Sequence, residues 1–133
     1  MKKQGILHSE LARIIAGMGH GDKLVICDSG YPIPHHRPVA DVILTINIPR
    51  IIETLNIILE ELHVESPIVT HEMETVSPHI YADVKRILKD IPIKFVSHEE
   101  FKEFTATTSN ISFVRTGETT KYSNLKLIAG VVF

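Results

Sequence analysis

The feature that most constrains the fold is a repeated alternation of short apolar runs with longer segments of helical spacing. Each apolar run has the length and composition of a buried strand. The predicted strands are KLVIC (23–27), VILTIN (42–47), SPIVT (66–70), IKFVS (93–97), ISFVR (111–115) and NLKLIAGVVF (124–133). Alternation of this kind predicts an α/β fold. We expect a single domain over residues 1–133, a three-layer sandwich whose mixed, largely parallel sheet has helices on both faces.

Four segments carry the start signals of helices. Ser9 is a good N-cap for a helix over Ser9–Met18, whose apolar residues fall on one face. Proline suits the first turn of a helix, so Pro49 and Pro78 are predicted to open the second and third helices. Ser97 and Glu100 have the spacing of a capping box, which predicts the start of a short fourth helix.

Two connections are predicted from the segments between these elements. The stretch HEMETVS (71–77) is interpreted as a loop, because it is short and lies between a strand and a proline-led helix. The connection between the last two strands is also short and turns around Gly117. We therefore expect the C-terminal pair of strands to be antiparallel.

Composition excludes several classes of partner and location. The 133 residues include 14 basic and 16 acidic side chains, a net charge of −2, with no basic stripe, which disfavours nucleic acid. No uncharged apolar run is long enough to span a membrane, and the N-terminal apolar stretch is too short for a signal peptide. The single cysteine, Cys27, cannot form an internal disulfide and fits a reducing cytoplasm. Its place within an apolar strand favours a buried side chain over a reactive thiol.

The stretch GMGHGDKLVICDSGYPIP (17–34) places chemistry-bearing residues on both sides of one strand. His20 lies between two glycines, just after the first helix, and histidine exchanges a proton near neutral pH. Asp28 follows the strand directly, and ligands of α/β sheets gather at the carboxyl ends of strands. His98 follows its own strand in the same way. The alternative for His20 is a helix-capping residue without a catalytic role.

Two other ligand classes are disfavoured by spacing. A phosphate-binding loop follows a strand and opens a helix, whereas these glycines follow a helix and precede a strand. The eight histidines show no ligand spacing, so no metal is predicted. His35 and His36 are adjacent, and His71 is followed by Glu72 without the second histidine of a zinc-protease helix. We assign no role to these three histidines.

The tail RTGETTKYSN (115–124) is the second informative stretch. Strand alternation would point Tyr122 and Asn124 to the same side, just before the last strand. A phenol and an amide both donate and accept hydrogen bonds, which suits a polyhydroxylated ligand. The alternative is a turn that ends in a strand-edge tyrosine.

These stretches together resemble the D-ribose pyranase family, sugar mutarotases that accompany bacterial ribose uptake and include fucose-specific relatives. The resemblance covers essentially the whole chain. It is carried by MKKQGILHSELARIIAGMGHGD, LVICDSGYPIP, SHEEFK and RTGETTKYSNLKLIAGVVF, in that order. Tyr31 and Lys121 depart from the family pattern, and we expect both at the rim of the sugar pocket.

The resemblance implies roles for particular residues. His20 would be the acid/base of a cofactor-free reaction that interconverts the pyranose and furanose forms of D-ribose. The residues that would bind the sugar are Asp28, His98, Lys102, Tyr122, Ser123 and Asn124. No metal is implied. The alternatives are a fucose-type mutarotase and a non-catalytic sugar-binding protein.

The resemblance also implies an assembly. Family members form homo-oligomers, often decamers of two stacked pentameric rings, with the site between subunits. We expect one subunit to supply the His20 and Asp28 loops and a neighbour to close the pocket.

Overall fold

A computed structural model describes residues 1–133 and contains one six-stranded sheet. The strands are β1 (Lys23–Cys27), β2 (Val39–Asp41), β3 (Val64–Thr70), β4 (Lys94–Val96), β5 (Ile111–Arg115) and β6 (Leu125–Ala129). Their order across the sheet is β2-β5-β1-β6-β3-β4. Only β6 runs antiparallel to its neighbours, β1 and β3, so the predicted mixed, largely parallel sheet is confirmed.

Five helices cover the sheet. They are α1 (Ser9–Gly17), α2 (Ile51–Leu59), α3 (His71–Val76), α4 (Pro78–Leu88) and α5 (His98–Thr107). None of them combines the length and apolar character needed to cross a membrane.

The residues of β1 show why helices lie on both faces of the sheet. Leu24 and Ile26 belong to a core of 21 buried residues that includes the apolar faces of α1, α2 and α4. Val25 and Cys27 point the other way and pack with Phe101 of α5 in a second, smaller core. Because successive side chains of a strand alternate between faces, one apolar strand supplies both cores. The three-layer arrangement is confirmed.

The helix starts agree in part with the sequence-based predictions. Pro78 is the first residue of α4, as predicted. The Ser97 Oγ accepts a hydrogen bond from the N–H of Glu100 at 3.1 Å, which is one half of the predicted capping box, and the Glu100 side chain does not return the second bond. Ser9 is not the N-cap of α1. The N-cap is the residue before it, His8, whose Nδ1 accepts a hydrogen bond from the N–H of Leu11. Met18 is the C-cap rather than part of the helix.

Pro49 does not open α2. The N-cap is Arg50, and the helix begins at Ile51. Pro49 lies one residue before the cap, where its carbonyl oxygen accepts a hydrogen bond from the N–H of Gly117 at 2.8 Å. This proline therefore ties the start of α2 to the loop that follows β5.

Three further predictions are wrong in their details. No strand forms at 42–47, and the strand in this part of the chain is the short β2, which lies just before that segment. The residues after β2 form a tight turn in which the N–H of Leu44 donates to the Ile48 carbonyl. The loop expected at 71–77 is mostly α3, because the Thr70 Oγ1 caps it by accepting from the N–H of Met73 at 3.1 Å. The last two strands, β5 and β6, do run antiparallel to each other as predicted, but they are not neighbours, because β6 is inserted between β1 and β3.

Candidate functional site

Asp28 and Asn124 form a pair at the carboxyl edge of the parallel strands. Asp28 follows β1, and the antiparallel direction of β6 brings Asn124, which precedes it, to the same edge. The N–H of Asp28 donates to Asn124 Oδ1 at 2.8 Å, and Asn124 Nδ2 donates to Asp28 Oδ2 at 2.9 Å. Asp28 Oδ1 also accepts from the N–H of Gly30. These bonds fix the carboxylate and leave its remaining lone pairs to accept from ligand hydroxyls.

His98 and Tyr122 form a second pair at this edge. His98 is the first residue of α5, and its N–H donates to Glu72 Oε2 at 3.0 Å. Its ring meets the Tyr122 ring edge-on, with centroids 4.9 Å apart. The Nδ1 of His98 is buried and has no hydrogen-bond partner within the chain. An unpaired buried polar atom costs about 1–3 kcal/mol, so this nitrogen is a natural contact for a ligand hydroxyl.

The backbone of Tyr122 is itself unusual. Its φ is 57°, in the left-handed region that residues other than glycine adopt rarely. Such a conformation costs roughly 1–3 kcal/mol and persists only where the surroundings enforce it. The segment that carries the phenol is therefore held in place by its neighbours.

Lys102 and Ser123 complete the set predicted for this edge. Lys102 lies four residues after His98 in α5, so the two share one face of the helix. Its Nζ is 2.9 Å from Glu99 Oε1. Ser123 is fully buried between Tyr122 and Asn124, and its hydroxyl faces the Lys121 carbonyl at 3.5 Å.

His20 lies at the opposite edge of the sheet. It precedes β1, and the adjacent Gly21 N–H is bonded to the carbonyl of Ala129 at the end of β6. Its Nε2 is 3.2 Å from Glu65 Oε2 and 3.3 Å from Oε1. The five residues of β1 separate His20 from Asp28 by about 16 Å of strand. Within one chain the structure does not bring the His20 and Asp28 loops into a common pocket, contrary to our expectation.

No principal cavity opens at the edge around Asp28 in a single subunit. None of the predicted site residues lines any of the principal cavities of the chain. A site assembled from this edge alone would leave much of a bound sugar in water.

Tyr31 belongs to the core rather than to the rim of the site. It is only 7% exposed, and its hydroxyl shares a hydrogen bond of 2.6 Å with Thr105 Oγ1 of α5. Burial raises the pKa of Tyr31 to about 12. Cys27 is also fully buried, and burial raises the pKa of its thiol, so it is a core side chain as predicted.

Three residues near this edge were assigned no role from the sequence. Glu72 holds the N–H of His98, as described above. Glu118 is fully buried. The polar, threonine-rich sequence around it gives no signal of this burial. Lys126 is 3% exposed, with its Nζ 3.3 Å from the centre of the Phe104 ring, and burial lowers its pKa to about 8. The one sequence signal for Lys126 is its position inside an apolar run.

No group of three or more histidine, cysteine, aspartate or glutamate side chains is arranged to hold a metal ion. His71 stacks on Phe95, with ring centroids 5.4 Å apart. His35 and His36 are exposed in the loop before β2.

The fold and this edge define a class: an α/β protein whose carboxylate, amide, imidazole and phenol groups converge where a sugar could bind. Comparison with known proteins identifies the family. Residues 1–132 match the RbsD / FucU transport protein family, and the chain belongs to that family.

The relatives and solved structures agree with this assignment. A D-ribose pyranase of Coprothermobacter proteolyticus is 49% identical over 133 residues, and one of Clostridium perfringens is 44% identical, both matched over 100% of each chain. The structure of Bacillus subtilis RbsD complexed with D-ribose superposes with a TM-score of 0.93 at 38% identity, with 100% of both chains covered. A fucose mutarotase of Streptococcus pneumoniae, solved with L-fucose, shares the fold, with a TM-score of 0.71 at 22% identity over 92% of this chain and 91% of that one.

Proposed function

We propose that this protein is a D-ribose pyranase, an isomerase that interconverts the pyranose and furanose forms of the free sugar. The observation that carries the proposal is the similarity to the ribose-bound Bacillus subtilis protein over the whole chain, together with the paired Asp28 and Asn124 at the expected edge. The D-ribose pyranases at 44–49% identity support the same activity. The fucose mutarotase, at 22% identity, supports the fold alone.

The reaction needs proton transfer and no redox step. In ring opening, the anomeric hydroxyl loses a proton, the C1–O5 bond breaks, and O5 takes up a proton to give the open-chain aldehyde. In closure, the C4 hydroxyl adds to C1, loses its proton, and the carbonyl oxygen is protonated to become the new anomeric hydroxyl. General acid–base catalysis of such steps contributes typically about 10²–10⁴-fold.

His20 is the acid/base in this proposal. The glycine-flanked turn before β1 exposes its imidazole, and Glu65 lies beside Nε2. If Nε2–H donates to Glu65, Nδ1 is the nitrogen available to exchange a proton with the sugar. Glu65 thereby orients the ring in the way that carboxylates orient histidines elsewhere.

The other residues hold the sugar. Asp28 accepts from hydroxyls, and Asn124 fixes the orientation of its carboxylate. The buried Nδ1 of His98 gains the partner that it lacks in the free chain. Tyr122 and Lys102 extend the same polar edge with a phenol and a cation, and buried Ser123 keeps the segment between Tyr122 and Asn124 close to the sheet.

The active site is shared between subunits in this proposal. His20 and Asp28 lie at opposite ends of β1, so the His20 of one subunit meets the Asp28 edge of the next. A contact between two different surfaces of identical subunits is heterologous, and it generates a ring when the rotation between neighbouring subunits closes. Such rings agree with the expected decamer of two pentameric rings. The site residues around Asp28 line none of the principal cavities of the single chain, which supports the need for a neighbour.

The proposal places the enzyme in the cytoplasm, where a lone thiol such as Cys27 stays reduced. Its partners are a monosaccharide and further copies of itself. The reaction as written uses only side chains of the protein, so no cofactor is part of the proposal.

The function is tested by saturation transfer between the anomeric proton signals of ribose in NMR. A pyranase accelerates exchange between the pyranose and furanose signals of ribose without any added cofactor. A fucose-type mutarotase accelerates exchange between the anomer signals of fucose and leaves the exchange rate of ribose unchanged. A sugar-binding protein broadens the ribose signals without raising exchange between the two ring forms, which would contradict the proposal.

A further inference from the structure

Glu118 is a buried carboxylate for which the proposed chemistry has no use. It lies in the turn between β5 and β6 and has no exposed surface. Burial opposes its ionisation, but hydrogen bonds from Thr120 and Ile51 and the nearby Arg50 outweigh burial and lower its pKa. The structure therefore retains a negative charge inside the protein. Burying an ion is costly unless its partners are well placed.

The partners of this carboxylate come from two segments. Glu118 Oε1 accepts from the N–H of Thr119 at 3.1 Å, from the N–H of Thr120 at 3.0 Å and from Thr120 Oγ1 at 2.8 Å. Glu118 Oε2 accepts from the N–H of Ile51 at the start of α2, at 3.4 Å. Arg50 Nη2 lies 3.5 Å from Oε1. One side chain thus joins the first turn of α2 to the segment that leads into β6.

The backbone around Glu118 reaches the substrate edge directly. Its carbonyl oxygen accepts from the N–H of Ser29 at 2.9 Å, the residue after Asp28. The preceding residue, Gly117, is packed so closely that a Cβ there would lie 2.5 Å from the carbonyl oxygen of Thr45. Glu118 therefore sits where the turn after Asp28 and the segment before β6 meet.

Two observations on the same segment require an anchor of this kind. Tyr122 holds a left-handed backbone conformation, which is strained and must be enforced by its surroundings. Asn124 orients the Asp28 carboxylate only if its own backbone is fixed. The backbone N–H groups of Thr119 and Thr120, at the start of this segment, both donate to Glu118.

We propose that Glu118 is a positioning residue, which holds residues 119–124 so that Asn124 can orient Asp28 and Tyr122 can pack on His98. The role rests on the proposed sugar site, but Glu118 itself does not touch the sugar. It acts through the geometry of this segment, with α2 as the rigid support.

The test is Glu118→Gln, which keeps the size of the side chain and removes its charge. Hydrogen bonds to charged groups are stronger than those to neutral groups, so we expect the affinity for ribose to fall about tenfold. The exchange rate at saturating ribose should fall by less than about threefold, because the acid/base is untouched. Amide hydrogen exchange should accelerate in residues 119–124 and stay unchanged in β1 and β3. The matched control is the exposed Glu74→Gln, which should leave every readout unchanged.

Thr120→Val provides a second variant in case Glu118→Gln does not fold. It removes one hydrogen bond to Glu118 and leaves the charge and its other partners, so a smaller change in the same direction is expected. Unchanged ribose affinity and unchanged amide exchange in a folded Glu118→Gln or Thr120→Val protein would overturn the proposal. The amide exchange readout does not depend on catalysis. An inactive wild-type protein would therefore contradict the proposed function while the positioning role remained testable.

Discussion

The side chain of Asn124 and the residue Asp28 bind each other through two hydrogen bonds, one to the backbone N–H of Asp28 and one to its carboxylate. The residues are 96 positions apart in the sequence and meet because β6 is inserted antiparallel beside β1. Asn124 is 1% exposed, whereas Asp28 keeps partial exposure at the edge of the sheet. The sheet topology thereby sets the direction in which the Asp28 carboxylate points.

Asn124→Ala should weaken ribose binding by about 10–100-fold and change the saturated exchange rate much less. The substitution leaves the N–H of Asp28 unpaired, which costs about 1–3 kcal/mol, and frees its carboxylate to rotate. The measurement is the exchange rate against ribose concentration, with circular dichroism as the folding control. A loss confined to the saturated rate would show that Asn124 acts in the chemical step rather than in binding.

Glu65→Gln should lower the saturated exchange rate about threefold to tenfold with little change in ribose affinity. The neutral amide beside Nε2 orients and stabilises the charged imidazole of His20 less well than a carboxylate does. Glu60→Gln, on an exposed residue at the end of α2, is the control. If the two variants have the same rate as the wild type, Glu65 does not support the acid/base.

Lys126→Met should stabilise the protein at pH 7, by about 1–3 kcal/mol. The pKa of Lys126 is lowered from 10.5 to about 8, so protonation of the folded state is costly below that pH. Above pH 10.5 the amine is neutral in both the folded and the unfolded state, so Lys126 does not lower the free energy of unfolding. As the pH falls from 10.5 through about 8, the unfolded state takes up the proton more readily than the folded state, and this stability is lost. The contact with the Phe104 ring offsets part of this cost.

Urea unfolding at several pH values measures this effect. The wild type should gain stability between pH 7 and pH 10 relative to Lys126→Met, whose dependence on pH should be flatter. A variant that is less stable than the wild type at pH 7 would mean that the ring contact outweighs the burial of the charge.

The parts of the fold that could be predicted are those encoded locally. The apolar run at 23–27 is β1, and Pro78 and Ser97 mark helix starts by their own backbone and side-chain chemistry. The prediction of a loop at 71–77 is wrong because α3 has only six residues, too few to show a helical period. The prediction of a strand at 42–47 is wrong because the apolar residues there, such as Leu44 and Ile46, are exposed on a turn rather than buried in a strand.

The parts of the site that could not be predicted depend on contacts between distant segments. The residue types at Asp28, His98 and Asn124 indicated a polar edge, and the structure does bring them to one edge. That His20 and Asp28 lie at opposite edges of the sheet follows from the predicted strand between them, because an extended strand separates its two ends. Which strand lies beside β1 is not encoded in the spacing of β6, so the contact between Asp28 and Asn124 could not be derived. Nor could the burial of Glu118, whose partners come from α2.

The central claim is that His20 of one subunit acts on a ribose held by Asp28 of another, and subunit complementation tests it most directly. His20→Ala and Asp28→Asn subunits are prepared separately, and their saturation transfer with ribose is measured. His20→Ala should lose about 10²–10⁴-fold of the saturated rate while keeping its fold, because the imidazole is half exposed and fills no core space. Asp28→Asn should bind ribose weakly. The two are then unfolded together, refolded as an equal mixture, and measured at a ribose concentration that saturates the wild type but not Asp28→Asn.

In a ring with random assortment, about one site in four combines an intact His20 with an intact Asp28 from its neighbour. We predict that the mixed assembly regains about a quarter of the wild-type exchange between ribopyranose and ribofuranose. Recovery no greater than the mean of the two separate variants, in an assembly shown by light scattering to contain both, would contradict the shared active site.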